Sequence, residues 1–263
     1  MGRIFLAWAA LAAIAAAACG AADRRPPARS TVRVAAASDL NAAMGDVIAR
    51  FSAAHAVDVS VSYGSSGTLY AQLLNRAPFD IFFSADAEYA RQLAARGFAS
   101  PGSDFVYAIG RLALWVKRES PIDVEHEGLQ ALAAASVAHV SIANPQHAPY
   151  GRAAVAALRW AHVDERVQPK LVFGENVAQA LQFAETGAAD AAIVARSLVS
   201  APAVQNRGRW LDIPAEAHPR LEQRGVVLEN ASDPQAARAF RDFILGGDGR
   251  AILEQYGFLL PGR

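Results

Sequence analysis

The stretch SYGSSGTLYAQLLNRAPFDIFFSAD, residues 62–86, decides the fold. It begins with a turn rich in glycine and serine at residues 64–68, continues with a helical pattern and ends in an apolar strand. A turn of this kind at the start of a helix is where proteins hold anions, because free backbone N–H groups point out of it. No lysine or arginine occurs between Ser62 and Asn75. An anion held here must therefore be neutralised by something other than a basic side chain.

Strands and helices alternate on both sides of this stretch. Before it, TVRVAAAS predicts a strand, DLNAAMGDVIARFSAAH has helical spacing and VDVSVSYG alternates as a strand. After it, EYARQLAARG predicts a helix that ends at Gly97. Such an order is typical of a mostly parallel sheet flanked by helices.

A second set of β and α segments follows the strand-like run FVYAIGRLALWVKR, which Gly110 interrupts. Its segments are HVSIANP, YGRAAVAALRWA, PKLVFG, NVAQALQFAETG and ADAAIVARS. GVVLEN then predicts a strand, and two closing helices follow. Two such sets predict an α/β protein of two lobes, each a mostly parallel sheet flanked by helices.

The lobe boundaries follow from these two sets. We predict that residues 32–109 and 227–263 form lobe I and that residues 110–226 form lobe II. Ligands of such folds bind where strand C-termini and helix N-termini converge, which here is the cleft between the lobes.

The N-terminus predicts secretion. Residues 1–22 combine one arginine, an apolar run and small residues, as a signal peptide does. The only cysteine, Cys19, lies in AAAACG, which is similar to a bacterial lipoprotein cleavage site; an ordinary cut nearby, for example after Ala22, is the alternative. Residues 23–31 predict a tether. The expected location is the periplasm, with or without a lipid anchor at Cys19.

The composition indicates a globular chain without excess charge. Its 263 residues are 53% hydrophobic and 19% charged, and Lys+Arg and Asp+Glu number 25 each. Because nucleic-acid-binding domains leave a basic footprint, this balance argues against a nucleic-acid partner. We expect a monomer without a cofactor.

Four turns lead from a strand into a helix, two in each set, and each offers unpaired backbone N–H groups. They are residues 37–39, 64–67, 148–151 and 174–177. A helix N-terminus carries roughly half a positive charge, and charge-assisted hydrogen bonds contribute ~1.5–3 kcal/mol each. Six or seven of them would exceed the ~8 kcal/mol of a micromolar complex. If the turns meet, their dipoles could replace cations and favour a dianion that only accepts hydrogen bonds.

Several segments together resemble periplasmic molybdate-binding proteins, the substrate-binding components of molybdate ABC transporters. They are VAAASDLNAAM, VSYGSSGTLYAQL, FDIFFSAD, ANPQHAPYGRAA, ENVAQAL and EQYGF. The resemblance implies a type II periplasmic binding-protein fold that closes on tetrahedral molybdate or tungstate. It also implies a membrane permease and an ATPase as partners.

The resemblance further implies the ligand-binding residues. Ser38 and Ser66 would donate through hydroxyl and backbone, and Asp39 or its neighbours would contribute a backbone N–H. Tyr150 and Val177 would supply donors from lobe II. Taken singly, each serine could be an N-cap, Tyr150 a packing residue and Val177 a core residue.

Two positions depart from the pattern of donors that the resemblance implies. Some members have a Tyr where this chain has Ala195, and we expect Tyr150, in the APYG turn, to replace that donor. Asp39 would repel a dianion, so we expect its side chain to turn outward and cap the helix.

Two other functions fit parts of the sequence. The chain has no G-x-S-x-G elbow, P-loop or H-E-x-x-H motif, and His147, near Tyr150, is expected to be a solvated loop residue. We therefore predict that the chain is not an enzyme, with a serine-dependent hydrolase as the remote alternative. A binding protein for sulfate or phosphate stays open, since Asp39 could accept the proton of a phosphate.

Overall fold

The computed structural model describes residues 29–262. They form two five-stranded sheets flanked by helices, which confirms the predicted α/β architecture of two lobes. The predicted signal peptide, Cys19 and most of the tether lie outside the described residues. None of the helices within residues 29–262 has the length and apolarity needed to cross a bilayer.

Lobe I is built on the sheet that contains the opening stretch. Its strands are β1 (Ser30–Ala37), β2 (Val57–Gly64), β3 (Ile81–Ser84), β4 (Phe105–Gly110) and β10 (Leu221–Val227). Its helices are α1 (Asn41–Ala54), α2 (Ser66–Leu74), α3 (Ala87–Ala95), α10 (Pro234–Leu245) and α11 (Gly247–Gln255), and a 3-10 turn, Ser38–Leu40, precedes α1. The strand order is β2-β1-β3-β10-β4. β1 is parallel to β2 and β3, whereas β10 is antiparallel to both of its neighbours.

Lobe II repeats the plan. Its strands are β5 (Leu112–Lys117), β6 (Val140–Ala143), β7 (Leu171–Gly174), β8 (Ala191–Ala195) and β9 (Gly208–Asp212). Its helices are α4 (Val124–Glu127), α5 (Pro149–Trp160), α6 (Asp164–Val167), α7 (Val177–Thr186), α8 (Arg196–Val199) and α9 (Pro202–Gln205), with 3-10 turns at Gly128–Ala133, Gln168–Lys170 and Ala215–Ala217. The strand order is β7-β6-β8-β5-β9, with β6 parallel to β7 and β8.

Burial along the strands follows their place in the sheets. Every residue of β3 and β8 is buried, because interior strands of such sheets are covered on both faces. β2, at the sheet edge, largely alternates between half-buried and exposed residues. The apolar core of lobe II extends to Ala37 and Ala85, which lie at the ends of β1 and β3. The two lobes therefore pack together where these strands end.

One boundary differs from its prediction. The chain crosses from β4 to β5 at Arg111, and the return strand β10 begins at Leu221, four residues before the predicted strand. Residues 221–226, assigned to lobe II from the sequence, pair with β3 and β4 of lobe I. The charged residues Glu222 and Arg224 alternate with buried ones in this strand, which hides its apolar face in the sequence.

Candidate functional site

The four helix starts meet at one small cavity between the lobes. Its lining residues are Ala37, Ser38, Asp39, Gly64, Ser65, Ser66, Ala85, Ala148, Pro149, Tyr150 and Val177. All five residues proposed from the sequence are among them, and none is more than 4% exposed. No lysine, arginine or histidine lines the cavity. The structure thus brings the four turns together around a space without cationic side chains.

Ser66 does not cap its helix, because the neighbouring Ser65 does. The Ser65 hydroxyl oxygen accepts the backbone N–H of Thr68 at 3.2 Å and so caps α2. Ser66, the first residue of that helix, accepts the backbone N–H of Ala85 at 2.9 Å. Because this bond uses only the oxygen of Ser66, the hydroxyl proton remains available to an acceptor in the cavity.

Ser38 and Val177 also retain donors. Ser38 is buried, and its hydroxyl has no hydrogen-bond partner among residues 29–262. The side chain of Asn176 caps α7 through the N–H groups of Ala178 and Gln179, each at 3.1 Å. That cap does not use the N–H of Val177, the first residue of α7, which has no partner within its helix.

The Tyr150 hydroxyl is bonded within the protein. It accepts from the Gln223 side-chain amide at 3.1 Å and also hydrogen-bonds to the Asp39 carboxyl. A tyrosine hydroxyl has one proton, and the Asp39 carboxyl is the acceptor beside it within the protein. Ala195, at the end of β8, is buried and does not line the cavity.

The expectation that Asp39 turns outward is wrong. Asp39 is fully buried at the cavity and forms no cap hydrogen bond. Burial raises its pKa to about 6, although hydrogen bonds from Gln223 and Tyr150 act in the opposite direction. Gln223 explains the inward orientation, because its amide donates to Oδ2 of the carboxyl away from water. The other oxygen, Oδ1, has no hydrogen-bond partner.

Gln223 was not anticipated from the sequence. It lies on β10 and is fully buried, and its amide nitrogen donates to both Asp39 of lobe I and Tyr150 of lobe II. Leu221, Gln223 and Gly225 are the buried positions of an alternating strand. The sequence could have indicated Gln223 as a polar residue at a buried position of a strand. It did not, because the predicted strand began after this residue.

A second group of contacts joins the lobes beside the cavity. His147 Nδ1 lies 2.8 Å from the Ser65 hydroxyl, and the Gly67 N–H donates to the His147 carbonyl at 2.9 Å. Thr68 donates to Glu175 at 3.2 Å. His147 is therefore a contact between lobes rather than the solvated residue expected. Neither Ser38 nor Ser66 is bonded to a histidine among the described residues.

The described residues show no candidate metal centre. No group of three or more His, Cys, Asp and Glu side chains within residues 29–262 could hold a metal ion. What the cavity offers instead is a set of hydroxyl and backbone donors, which suits an anion whose oxygens only accept.

Comparisons with known proteins find bacterial solute-binding proteins, several of them molybdate-binding. A family model described as a bacterial extracellular solute-binding protein matches residues 32–259. The molybdate-binding protein ModA of Rhodobacter capsulatus is 34% identical over 234 residues, which cover 89% of this chain and 90% of that protein. Its namesake from Azotobacter vinelandii is 35% identical over 227 residues, covering 86% and 89%. The solved Azotobacter vinelandii periplasmic molybdate-binding protein has a TM-score of 0.82 at 33% identity, covering 88% of this chain and 99% of that one.

Proposed function

The chain belongs to the bacterial extracellular solute-binding protein family, and from that premise we propose that its solute is molybdate. Tungstate, an oxyanion of the same shape and charge, would use the same contacts. Ser38, Ser66 and Val177 supply donors, together with the backbone N–H groups at the starts of the Asp39 and Tyr150 segments. Membership of this family also confirms the prediction that the chain is not an enzyme.

The observation that carries the proposal is a buried cavity with donors from both lobes and no cation. The helix N-termini around it concentrate partial positive charge. A fully deprotonated oxyanion presents only acceptors, so each donor finds a partner. An ion that keeps a proton would leave that proton unpaired at most positions in such a cage.

We further propose how the bound anion is used. The protein is secreted to the periplasm, acts as a monomer and delivers the anion to the membrane permease and ATPase of an ABC transporter. Attachment through a lipidated Cys19 and release as a free protein remain the two forms of this proposal. The molybdate-binding names of the relatives support the ligand, and membership of an extracellular solute-binding family supports the role in uptake.

Isothermal titration of the mature chain, residues 23–263, tests the ligand. We expect one-to-one binding of molybdate at micromolar affinity or tighter, unaffected by excess sulfate. Binding of sulfate in place of molybdate would keep the receptor and overturn the ligand. No binding of molybdate, tungstate, sulfate or phosphate would show that the cavity is not an oxyanion site.

Phosphate is the second candidate, because one observation favours it. Asp39 lines the cavity, and its Oδ1 is a buried acceptor without a partner. A monoprotonated phosphate could donate its proton to that oxygen if Asp39 were ionised. Phosphate that displaces molybdate at equal concentration would decide for this alternative.

A further inference from the structure

Asp39 is the only residue with a carboxylate side chain among those that line the cavity. The other polar side chains of the lining carry hydroxyl groups, which can donate to an anion. Its Oδ2 accepts from Gln223, and its Oδ1 has no partner although the residue is fully buried. The titratable groups that face it are the hydroxyls of Tyr107, on β4, and Tyr150, on α5. No cationic group among the described residues is paired with this carboxyl.

A dianion in this cavity creates a conflict with an ionised Asp39. Two like charges in one buried site oppose each other, and the usual outcome is that the carboxyl binds a proton. Asp39 is already prepared for this change, because burial raises its pKa to about 6 before any ligand is present. The negative charge of the ligand raises that pKa further.

We propose that Asp39 takes up one proton from solvent when the dianion binds, and that its neutral carboxyl then donates this proton to a ligand oxygen. The proton goes to Oδ1, since Oδ2 is already occupied by the amide of Gln223. Protonation converts Asp39 from an acceptor that repels the anion into one more donor of the cage. Gln223 and Tyr150 act as positioning residues that fix the carboxyl. This inference rests on the proposed oxyanion function and adds a proton to the bound complex.

The inference predicts a defined dependence of affinity on pH. Below about pH 6 the free protein already carries the proton, so affinity is constant. Above that value each binding event must take up a proton, so the association constant falls about tenfold per pH unit. Molybdate itself remains a dianion over the neutral and alkaline range, so the slope belongs to the protein.

The experiment is isothermal titration of the mature chain with sodium molybdate between about pH 6 and about pH 8.5. At about pH 7.5, the titration is repeated in two buffers that differ in ionisation enthalpy, which counts the protons taken up. We expect roughly one proton per molybdate for the wild type. Asp39→Asn places a neutral N–H donor at the same point, so we expect a flat profile and no proton uptake. Asp46→Asn, which removes the same charge from an exposed position on α1, is the matched control and keeps the wild-type slope.

The outcomes separate the inference from the proposed function. Tight molybdate binding with no pH slope and no proton uptake overturns the role of Asp39 and leaves the ligand intact. A slope that persists in Asp39→Asn assigns the proton to another group and overturns the inference equally. No molybdate binding at any pH overturns the proposed function. Because a count of zero protons on the wild type overturns the inference without any variant, the test can still fail if Asp39→Asn does not fold.

Discussion

At the scale of single residues, the cavity depends on hydroxyl groups whose oxygens and protons have separate partners. Ser66 shows this arrangement, because its oxygen holds the Ala85 N–H while its proton faces the cavity. Tyr150 shows the opposite case, because its proton is used inside the protein. Residue type alone does not tell a hydroxyl that is free to donate to the anion from one that is bonded within the protein. Mutation of Ser66 and mutation of Tyr150 are therefore expected to have different effects.

Ser66→Ala should weaken molybdate binding about ten- to a hundredfold, the equivalent of one hydrogen bond to a charged group. Titration calorimetry at about pH 6 measures the change. Ser52→Ala is the matched control, since the Ser52 hydroxyl donates to the Val57 carbonyl far from the cavity. Full affinity in Ser66→Ala would place the anion elsewhere.

Tyr150→Phe distinguishes a donor to the anion from a positioning residue. The hydrogen bond from Tyr150 lowers the pKa of Asp39, so its loss should raise that pKa and shift the fall in affinity to higher pH. On the low-pH plateau, affinity should stay within about fivefold of the wild type. A loss of ten- to a hundredfold at every pH would instead make the hydroxyl a direct donor to the ligand.

At the scale of elements, a buried carboxyl ties three segments of lobe I together. Asp80, just before β3, accepts from the Arg33 guanidinium of β1 at 2.9 and 3.0 Å and from the Ser232 backbone at 2.7 Å. Burial alone would raise the pKa of Asp80, but these bonds outweigh it and hold the pKa at about 2. An ionised group thus stabilises the end of the sheet where β3 begins beside β1.

The depressed pKa makes lobe I sensitive to acid. The contribution of Asp80, on the order of 2 kcal/mol, is present above the unfolded value near pH 4 and is lost as the pH falls towards 2. Asp80→Asn should lower the free energy of unfolding by this amount at neutral pH and by much less near pH 2. Urea unfolding at several pH values measures it. Asp58→Asn, which breaks an exposed pair with Arg29, should cost less than about 1 kcal/mol; an equal loss in both variants would contradict the assignment.

The alternation of elements could be predicted from the sequence because hydrophobic periodicity is a local property. The helices that follow the turns at residues 64–67 and 174–177 were predicted in the same way, although the first begins at Ser66, inside the predicted turn. The orientation of Asp39 could not be predicted, since its partner Gln223 is 184 residues away and only the folded sheet brings them together. The start of β10 was missed because charged residues alternate with buried ones there.

At the scale of the whole molecule, the lobes touch through backbone as well as side chains. Gly67, in the first turn of α2, donates to the His147 carbonyl, and a Cβ atom at this position would lie 2.6 Å from that oxygen. A glycine is required here because lobe II approaches the backbone of lobe I too closely for a side chain.

Gly67→Ala should therefore hold the lobes apart while each remains folded. We expect at least a tenfold loss of molybdate affinity, as for the loss of one hydrogen bond to a charged group, and a larger radius of gyration by small-angle scattering. Gly45→Ala is the control, since nothing lies within 4 Å of the added atom; in the interior of α1 it should stabilise the fold by up to about 1 kcal/mol and leave affinity unchanged. Normal affinity in Gly67→Ala would mean that this contact does not govern closure.

The division of the four helix starts between the lobes has one more consequence. Each lobe contributes two starts to the cavity, and neither contributes a cation. The protein therefore resembles a chelator with two arms, one in each lobe. Either arm alone would bind an anion weakly. Separating the arms removes half of the coordination in a single movement, with no ion pair between the protein and the anion to break. The bonds that hold the lobes together, among them the Arg152–Asp86 ion pair, lie outside the cavity lining except at Asp39, Tyr150 and Ser65, so release is set by contacts between the lobes rather than by a charge on the anion.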